Sequence, residues 1–131
     1  MANPGENLWP DNLGQEPSDL APLQILREQA TRLGERTSNL VEAHVTAEPS
    51  PDGQNLDIRF CLVAPLLGGY EYVLLRATQP VVDLYPVKLH FEENDWVANE
   101  ESGFKQYLER LFNSARTRRI ISNLIAQSKT A

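Results

Sequence analysis

Apolar and polar residues alternate one by one through the middle of the chain. From Leu40 to Glu48 the residues alternate, with the apolar residues after Leu40 at odd positions, and from Asn55 to Ala64 apolar residues occupy mostly even positions. Alternation with a period of two is the pattern of a strand that buries one face and exposes the other. The two runs therefore predict two half-buried antiparallel strands, joined by a loop in which Asp52-Gly53 supplies the turn chemistry.

The following residues predict two more strands. Gly68-Gly69 predicts a two-residue hairpin turn, because both positions can take a positive φ. The third strand, Tyr70–Thr78, has apolar residues on both faces, which predicts a central strand covered on both sides. A fourth strand is predicted over Val81–Phe91, with a bulge beside Pro86 where the apolar phase changes. The acidic run Glu92–Asp95 is predicted to end the sheet.

Helical spacing of apolar residues flanks this region on both sides. A first helix is predicted from a cap at Ser18 or Asp19 to a stop near Gly34. Two further helices are predicted after Asn99, separated by a stop and a new cap at Asn113-Ser114. The predicted fold class is therefore α+β, with an N-terminal helix, a four-stranded antiparallel meander sheet and two C-terminal helices packed on the sheet.

The two ends of the chain lack such patterns. Residues 1–17 hold three prolines, two glycines and three acidic side chains, a composition typical of a flexible tail. We expect residues 18–128 to form a single domain and residues 129–131 to fray. Trp9, inside the tail, is a candidate partner-binding residue. The alternative for Trp9 is that it folds back on the domain or remains free.

The net charge of −6 over 131 residues conceals a division along the chain. Residues 1–101 carry −11 and residues 102–131 carry +5. Arg116, Arg118 and Arg119 concentrate this positive charge and are candidate partner-binding residues for an acidic surface. The alternative is a solvated helix face that pairs with the acidic residues 92–101. Because most of the chain is acidic, nucleic acid is not favoured as a partner.

Tyr70, Tyr72 and Tyr85 form a candidate ligand face. Aromatic side chains on one face of a sheet can hold a small apolar ligand or a peptide. The alternative is that these tyrosines pack beneath the helices as ordinary core residues.

The sequence shows no motif of an enzyme or of a metal site. His44 and His90 lie on strands that a meander keeps apart, and neither belongs to a pair with metal-ligand spacing. Cys61 is the one cysteine, so an intrachain disulfide is excluded, and no histidine is signalled beside it. Phosphate-binding glycine loops and nucleophile elbows are missing from the sequence. We therefore expect no enzymatic activity, no cofactor and no metal.

The first ten residues do not resemble a signal peptide, and no apolar run is long enough to cross a membrane. These features favour a cytoplasmic bacterial protein. They also favour a non-enzymatic protein-binding module, of an accessory, chaperone-like or immunity-like kind. Its partner would be another protein, including a second copy in a homodimer, held by the basic last helix and the open face or edge of the sheet. The alternative is a small-ligand-binding module with a pocket between the sheet and the C-terminal helices.

Overall fold

The computed structural model describes residues 5–131, which form one five-stranded antiparallel sheet and three helices. The strands, which neighbour one another in chain order, are β1 Glu42–Pro49, β2 Asn55–Ala64, β3 Tyr70–Pro80, β4 Val87–Phe91 and β5 Asn94–Ala98. The helices are α1 Pro22–Arg36, α2 Glu101–Phe112 and α3 Ala115–Ser128. The α+β class and the antiparallel sheet predicted from the sequence are confirmed, whereas the prediction of four strands is wrong.

The missed strand is β5, which begins inside the acidic run that was predicted to end the sheet. Glu92-Glu93 forms a two-residue turn between Phe91 and Asn94, and Glu92 takes a φ of 56°. Such turns are usually signalled by asparagine and glycine, which adopt a positive φ at little cost. A pair of glutamates gives no such signal. The predicted start of the fourth strand is also wrong, because residues 81–86 are irregular and contain the cis bond between Tyr85 and Pro86.

The connection between β2 and β3 is longer than a two-residue turn. Ala64 pairs with Tyr70, so five residues join the two strands. Pro65–Leu67 form a short 3-10 turn, and Gly68 and Gly69 then take φ values of 70° and 75°. The glycines provide the predicted positive φ, but the 3-10 turn comes before them.

A bulge in β3 changes which of its side chains reach the core. Phe60 is opposite Leu75 and Cys61 is opposite Val73, so Leu74 is an extra residue on β3. Leu74 and Leu75 are therefore both buried on the same side of the sheet. β3 is central, as predicted, but the prediction that both faces are covered is wrong: on the second face Val73 is 37% exposed and Arg76 is exposed.

The three helices share one buried cluster with the inner face of the sheet. α1 contributes Ile25 and Leu26, α2 contributes Phe104, Leu108 and Leu111, and α3 contributes Leu124. Residues 5–17 form no helix or strand and are exposed, whereas residues 1–4 of the predicted flexible tail lie outside the described residues. Within residues 5–131, no helix has the length and apolar character needed to cross a membrane.

Candidate functional site

β1 forms one edge of the sheet, and its hydrogen-bonding direction follows from the loop after it. The Ser50 N–H donates to the Asn55 carbonyl at 2.8 Å, and this pair continues the register in which Pro49 faces Leu56. In an antiparallel ladder, alternate residues bond to the partner strand and the residues between them point away from it. Even-numbered residues of β1 therefore bond to β2, and the odd-numbered residues Ala43, Val45 and Ala47 direct N–H and C=O toward the free edge.

One residue before β1 fits the same alternation. The Val41 N–H donates to Thr37 Oγ1 at 3.2 Å, and Thr37 Oγ1 donates to the Val41 carbonyl at 2.7 Å. The Thr37 side chain thus satisfies the outward backbone groups at the start of the edge. Within residues 5–131, no comparable hydrogen bond reaches the outward backbone groups between Ala43 and Ala47. Val41 therefore has both of its outward backbone groups hydrogen-bonded. Those of Ala43, Val45 and Ala47 have no such partner within residues 5–131.

The side chains beside this open edge are small, apolar and half-buried. Ala43, Val45 and Ala47 lie on the inner face of β1, where each keeps part of its surface exposed. A groove of about 690 Å³ runs between β1 and α1, and Ala30 and Gly34 line its helical side. An exposed edge with unpaired backbone groups is a template for a further strand, and a groove beside it can hold that strand's side chains.

The outer face of the sheet carries charges of both signs. Arg59 and Arg76 stand directly opposite each other on β2 and β3, and both are exposed. Among residues 5–131, no carboxylate lies within ion-pairing distance of either guanidinium group. Asp57 and Glu48 nevertheless share this face in the next cross-strand row. A shallow groove of about 810 Å³ on this face is therefore mixed in charge and does not resemble a polyanion-binding surface.

The two histidines lie far apart on the outer face. His90 Nδ1 is 2.6 Å from Asp95 Oδ1, across the β4–β5 hairpin. His44 lies on β1, separated from β4 by two strands, which corresponds to about 14 Å at the usual strand spacing. The His90–Asp95 pair has the geometry of a base and its orienting carboxylate. Among the described residues, however, no hydroxyl or thiol is hydrogen-bonded to the imidazole, so the pair has no nucleophile beside it.

The candidate arginines of α3 occupy different environments. Arg116 Nη2 donates to the Tyr72 hydroxyl at 3.1 Å, and Arg116 Nε lies 3.4 Å from Glu92 Oε1. The hydrogen bond to Tyr72, with a smaller contribution from the charge of Glu92, raises the pKa of Arg116. This guanidinium therefore ties α3 to β3 and to the β4–β5 turn. Arg118 and Arg119 are exposed on α3.

The three tyrosines of the candidate ligand face do not form one surface. Tyr70 is exposed at the start of β3, and Tyr72 contacts Arg116. The Tyr85 hydroxyl donates to the Leu20 carbonyl at 2.8 Å. Burial, followed by the charges of Glu101 and Asp19, raises the pKa of Tyr85 to about 12. Tyr85 thus anchors the segment that leads into α1.

Trp9 and Cys61 complete the residues singled out in the sequence. Trp9 is 71% exposed, and its N–H donates to Asn7 Oδ1 at 3.1 Å. Cys61 is half-buried on the outer face, where burial and then the charge of Glu71 raise the pKa of its thiol. A thiol with a raised pKa carries less thiolate and is a weaker nucleophile at neutral pH.

A cleft does lie between the sheet and the helices, but it is not lined by the tyrosines. It encloses about 260 Å³ between α1, the α2–α3 pair and the inner face of the sheet. Its lining residues are mostly apolar, with two arginines of α1 among them: Gln29, Arg32, Leu33, Arg36, Phe60, Leu62, Leu74, Phe112 and Ile121. The sequence suggested a pocket between the sheet and the C-terminal helices, but it did not indicate these lining residues, because they come from five separate elements.

Comparisons with known proteins do not extend this description. Searches of protein-family models, of curated proteins and of solved structures each found no match for the chain. In the part of the chain that the structure describes, no group of three or more histidine, cysteine or acidic side chains is arranged to hold a metal ion. The β1 edge combines outward backbone groups with a groove beside it. The sequence pointed to an open face or edge of the sheet without indicating which edge.

Proposed function

We propose that the protein is a non-enzymatic protein-binding module that works in the cytoplasm of a bacterium and binds an extended strand of its partner along β1. The observation that carries the proposal is the outward N–H and C=O groups of Ala43, Val45 and Ala47, which have no hydrogen-bond partner among residues 5–131 and lie beside a groove. An added strand would satisfy these groups and continue the sheet.

The side chains of β1 define the chemistry of the strand that fits. On the inner face, the half-buried Ala43, Val45 and Ala47 leave room for small apolar side chains. On the outer face, Glu42, His44 and Glu48 would meet polar or charged side chains. The partner strand should therefore alternate small apolar residues with polar ones. Its backbone hydrogen bonds would each contribute about 1 kcal/mol, and its side chains would select the register.

A matched pair of proline variants tests this proposal. Val45→Pro removes an outward N–H from β1 without removing a bond to β2. Val97→Pro does the same on β5, because residues 94, 96 and 98 bond to β4 across the two-residue turn. Tagged wild type and both variants would be recovered from the source cells. We expect a protein that is retained by the wild type and by Val97→Pro and lost from Val45→Pro. Retention of the same protein by all three chains would overturn the proposal.

The cleft on the inner side of the sheet supports a second candidate function. Its apolar lining and the guanidinium groups of Arg32 and Arg36 suit a small carboxylate with an apolar tail. At roughly 30 Å³ for each water-sized group, the cleft holds about eight or nine methylene-sized groups. Octanoate is therefore a suitable probe.

Octanoate and octanol distinguish this candidate from unspecific apolar binding. Titration followed by amide chemical shifts should show saturable shifts around Leu33 and Phe112 with octanoate and weaker shifts with octanol. Leu33→Trp, which fills the cleft, should abolish them, whereas Val97→Thr on the outer face should not. Equal responses to both ligands, or unchanged binding to Leu33→Trp, would exclude the candidate.

A further inference from the structure

The self-complementary pattern of β1 identifies the strand that its edge receives. Resting on the proposed function, we infer that the partner strand is β1 of a second copy, paired antiparallel about a two-fold axis with Thr46 opposite itself. A two-fold interface places the same surface on both sides, so its charges must complement themselves. β1 meets this requirement in one register.

The alternation of faces limits the registers that are possible. A residue of β1 can lie opposite only a residue that points to the same face, so an odd-numbered residue faces an odd-numbered one. The central residue is then His44, Val45, Thr46 or Ala47. Centring the pair on Ala47 shortens the ladder, because Pro49 lies near its end and donates no hydrogen bond. The remaining choice is decided by the polar side chains.

Charge selects the register centred on Thr46. Centring on Val45 would place Glu42 of each copy opposite Glu48 of the other, and like charges directly opposite one another are destabilising. Centring on His44 would place Ala47 opposite Val41, whose outward N–H and C=O are already bonded to the Thr37 hydroxyl. With Thr46 at the centre, His44 faces Glu48 of the second copy, and the two-fold axis repeats that pair. The two threonines face each other between the two pairs.

The backbone supports the same register. With Thr46 at the centre, Val45 faces Ala47 of the second copy, and both residues direct N–H and C=O outward. These residues exchange two hydrogen bonds, and the two-fold axis doubles them. Ala43 then donates to the Pro49 carbonyl of the second copy, where the missing proline N–H falls at the end of the ladder. The register therefore uses every outward N–H between Ala43 and Ala47.

α1 carries a second self-complementary pattern beside the same edge. Arg27, Thr31 and Glu35 are spaced four residues apart, are exposed and line the groove along β1. The two-fold axis that makes the strands antiparallel also makes the two copies of α1 antiparallel. The same axis would bring Arg27 of one copy toward Glu35 of the other, because both lie on the exposed side of α1 beside this edge. Helix and strand thus show the same order: a basic group, a threonine and an acidic group.

Disulfide formation between two copies tests the register of the β1–β1 pair directly. Thr46→Cys is introduced into Cys61→Ser, which removes the native thiol. Thr46 would occupy a non-hydrogen-bonded pair, in which Cα atoms lie about 4.5 Å apart, within the range that a disulfide spans. Glu48→Cys in the same background is the matched control, because residue 48 would face residue 44. We expect the Thr46→Cys chain to form covalent dimers at least about tenfold faster than the control. Equal rates for the two chains would overturn the inferred register.

Sedimentation equilibrium of the full chain tests the dimer itself. Wild type and Val97→Pro should be dimers, and Val45→Pro should raise the dissociation constant by about 30-fold, since two N–H donors are lost per dimer. His44→Glu should also weaken the dimer, and the swap His44→Glu/Glu48→Lys should restore it. A monomeric wild type would overturn the inference. The proposed function would survive that result if Val45→Pro still lost a different protein in the recovery experiment, and would fail with it if no protein depended on Val45.

Discussion

The two edges of the sheet end in opposite ways. β1 is eight residues long and pairs with β2 without a bulge, so about 27 Å of regular edge faces outward. β5 is five residues long and follows a tight turn. Trp96 of β5 stacks on Tyr107 of α2, with ring centroids 5.5 Å apart, and also contacts Phe91 at 6.4 Å. The inner side of β5 is thus held by aromatic side chains, whereas β1 offers alanines and one valine beside a groove.

A helix packs beside each outer strand, α2 beside β5 and α1 beside β1, but the two helices leave different amounts of space. Beside β5, the large side chains of α2 cover the strand. Beside β1, the small residues Ala30 and Gly34 of α1 leave space above the strand. Proteins commonly protect a free edge by keeping it short, by adding charge or by covering it. β5 is short and its inner face is covered by α2. β1 is longer and carries its charged side chains, Glu42 and Glu48, on the outer face only. Within residues 5–131, no helix or loop is hydrogen-bonded to its edge between Ala43 and Ala47. The β1 edge is therefore the one suited to an added strand.

The largest effect on stability is expected from removing the aromatic cover of β5. Trp96→Ala should lower the free energy of unfolding by about 2–3 kcal/mol, below the cost of a fully buried tryptophan because Trp96 keeps some exposure. Val45→Ala, at the corresponding place on β1, should cost about 0.5–1 kcal/mol. Urea denaturation of both variants at low protein concentration measures the difference. Equal losses would show that the two edges depend on their side chains to the same extent.

A smaller effect is expected at the one closed position of the β1 edge. Thr37→Val removes the hydroxyl that bonds to both backbone groups of Val41 and should cost about 1–2 kcal/mol. Thr130→Val, near the chain end, is the control and should change stability by less than about 0.5 kcal/mol. Denaturant midpoints of the two variants make the comparison. Similar midpoints would mean that Thr37 does not close this end of the edge.

The smallest effect on stability is expected at the contacts of Leu20, which link the segment before α1 to the start of α2. The Leu20 N–H donates to Glu101 at the start of α2, and the Leu20 carbonyl accepts from Tyr85. Tyr85→Phe should cost about 1 kcal/mol at neutral pH. The pKa of Tyr85 is raised from 10.0 to about 12, so the stability it contributes is complete below pH 10 and is lost as pH rises to 12. Denaturation at pH 8 and pH 11 should show this loss in the wild type and not in Tyr85→Phe.

Parts of the fold could be predicted because local pattern and final environment agree. The bounds of β2 match the alternation in its sequence, and Ser114 caps α3 by accepting from the Thr117 N–H, as its position suggested. β5 could not be predicted, because Glu92 adopts a positive φ that its side chain does not favour. The apolar residues on both sides of β3 were misleading for another reason. A bulge at Leu74 turns two consecutive leucines toward the same core, and a pattern of period two does not reveal it.

The candidate site depended on information that no single segment contains. Arg116, Arg118 and Arg119 are adjacent in sequence, yet Tyr72 and Glu92 from distant elements engage the first of them. The open edge of β1 was implicit in the meander, since its first strand has one neighbour. Which of its residues point outward required the hydrogen bond from Ser50 to Asn55. The groove required α1 to lie beside β1, which is a property of tertiary packing.

The short ladder between β3 and β4 has a consequence for how the molecule opens. β4 pairs with β3 only from Arg76 to Thr78, whereas β2 pairs with β3 along its whole length. The β4–β5 hairpin is thus joined to the rest of the sheet by three cross-strand pairs. The ion pair between Arg116 of α3 and Glu92 of the hairpin turn adds a further contact. Local unfolding follows the weakest cooperative boundary in a structure. The hairpin and α2 should therefore exchange their amide hydrogens as one unit before β1, β2 and β3 do. β1 and its neighbours should thus stay folded while β4 and β5 open.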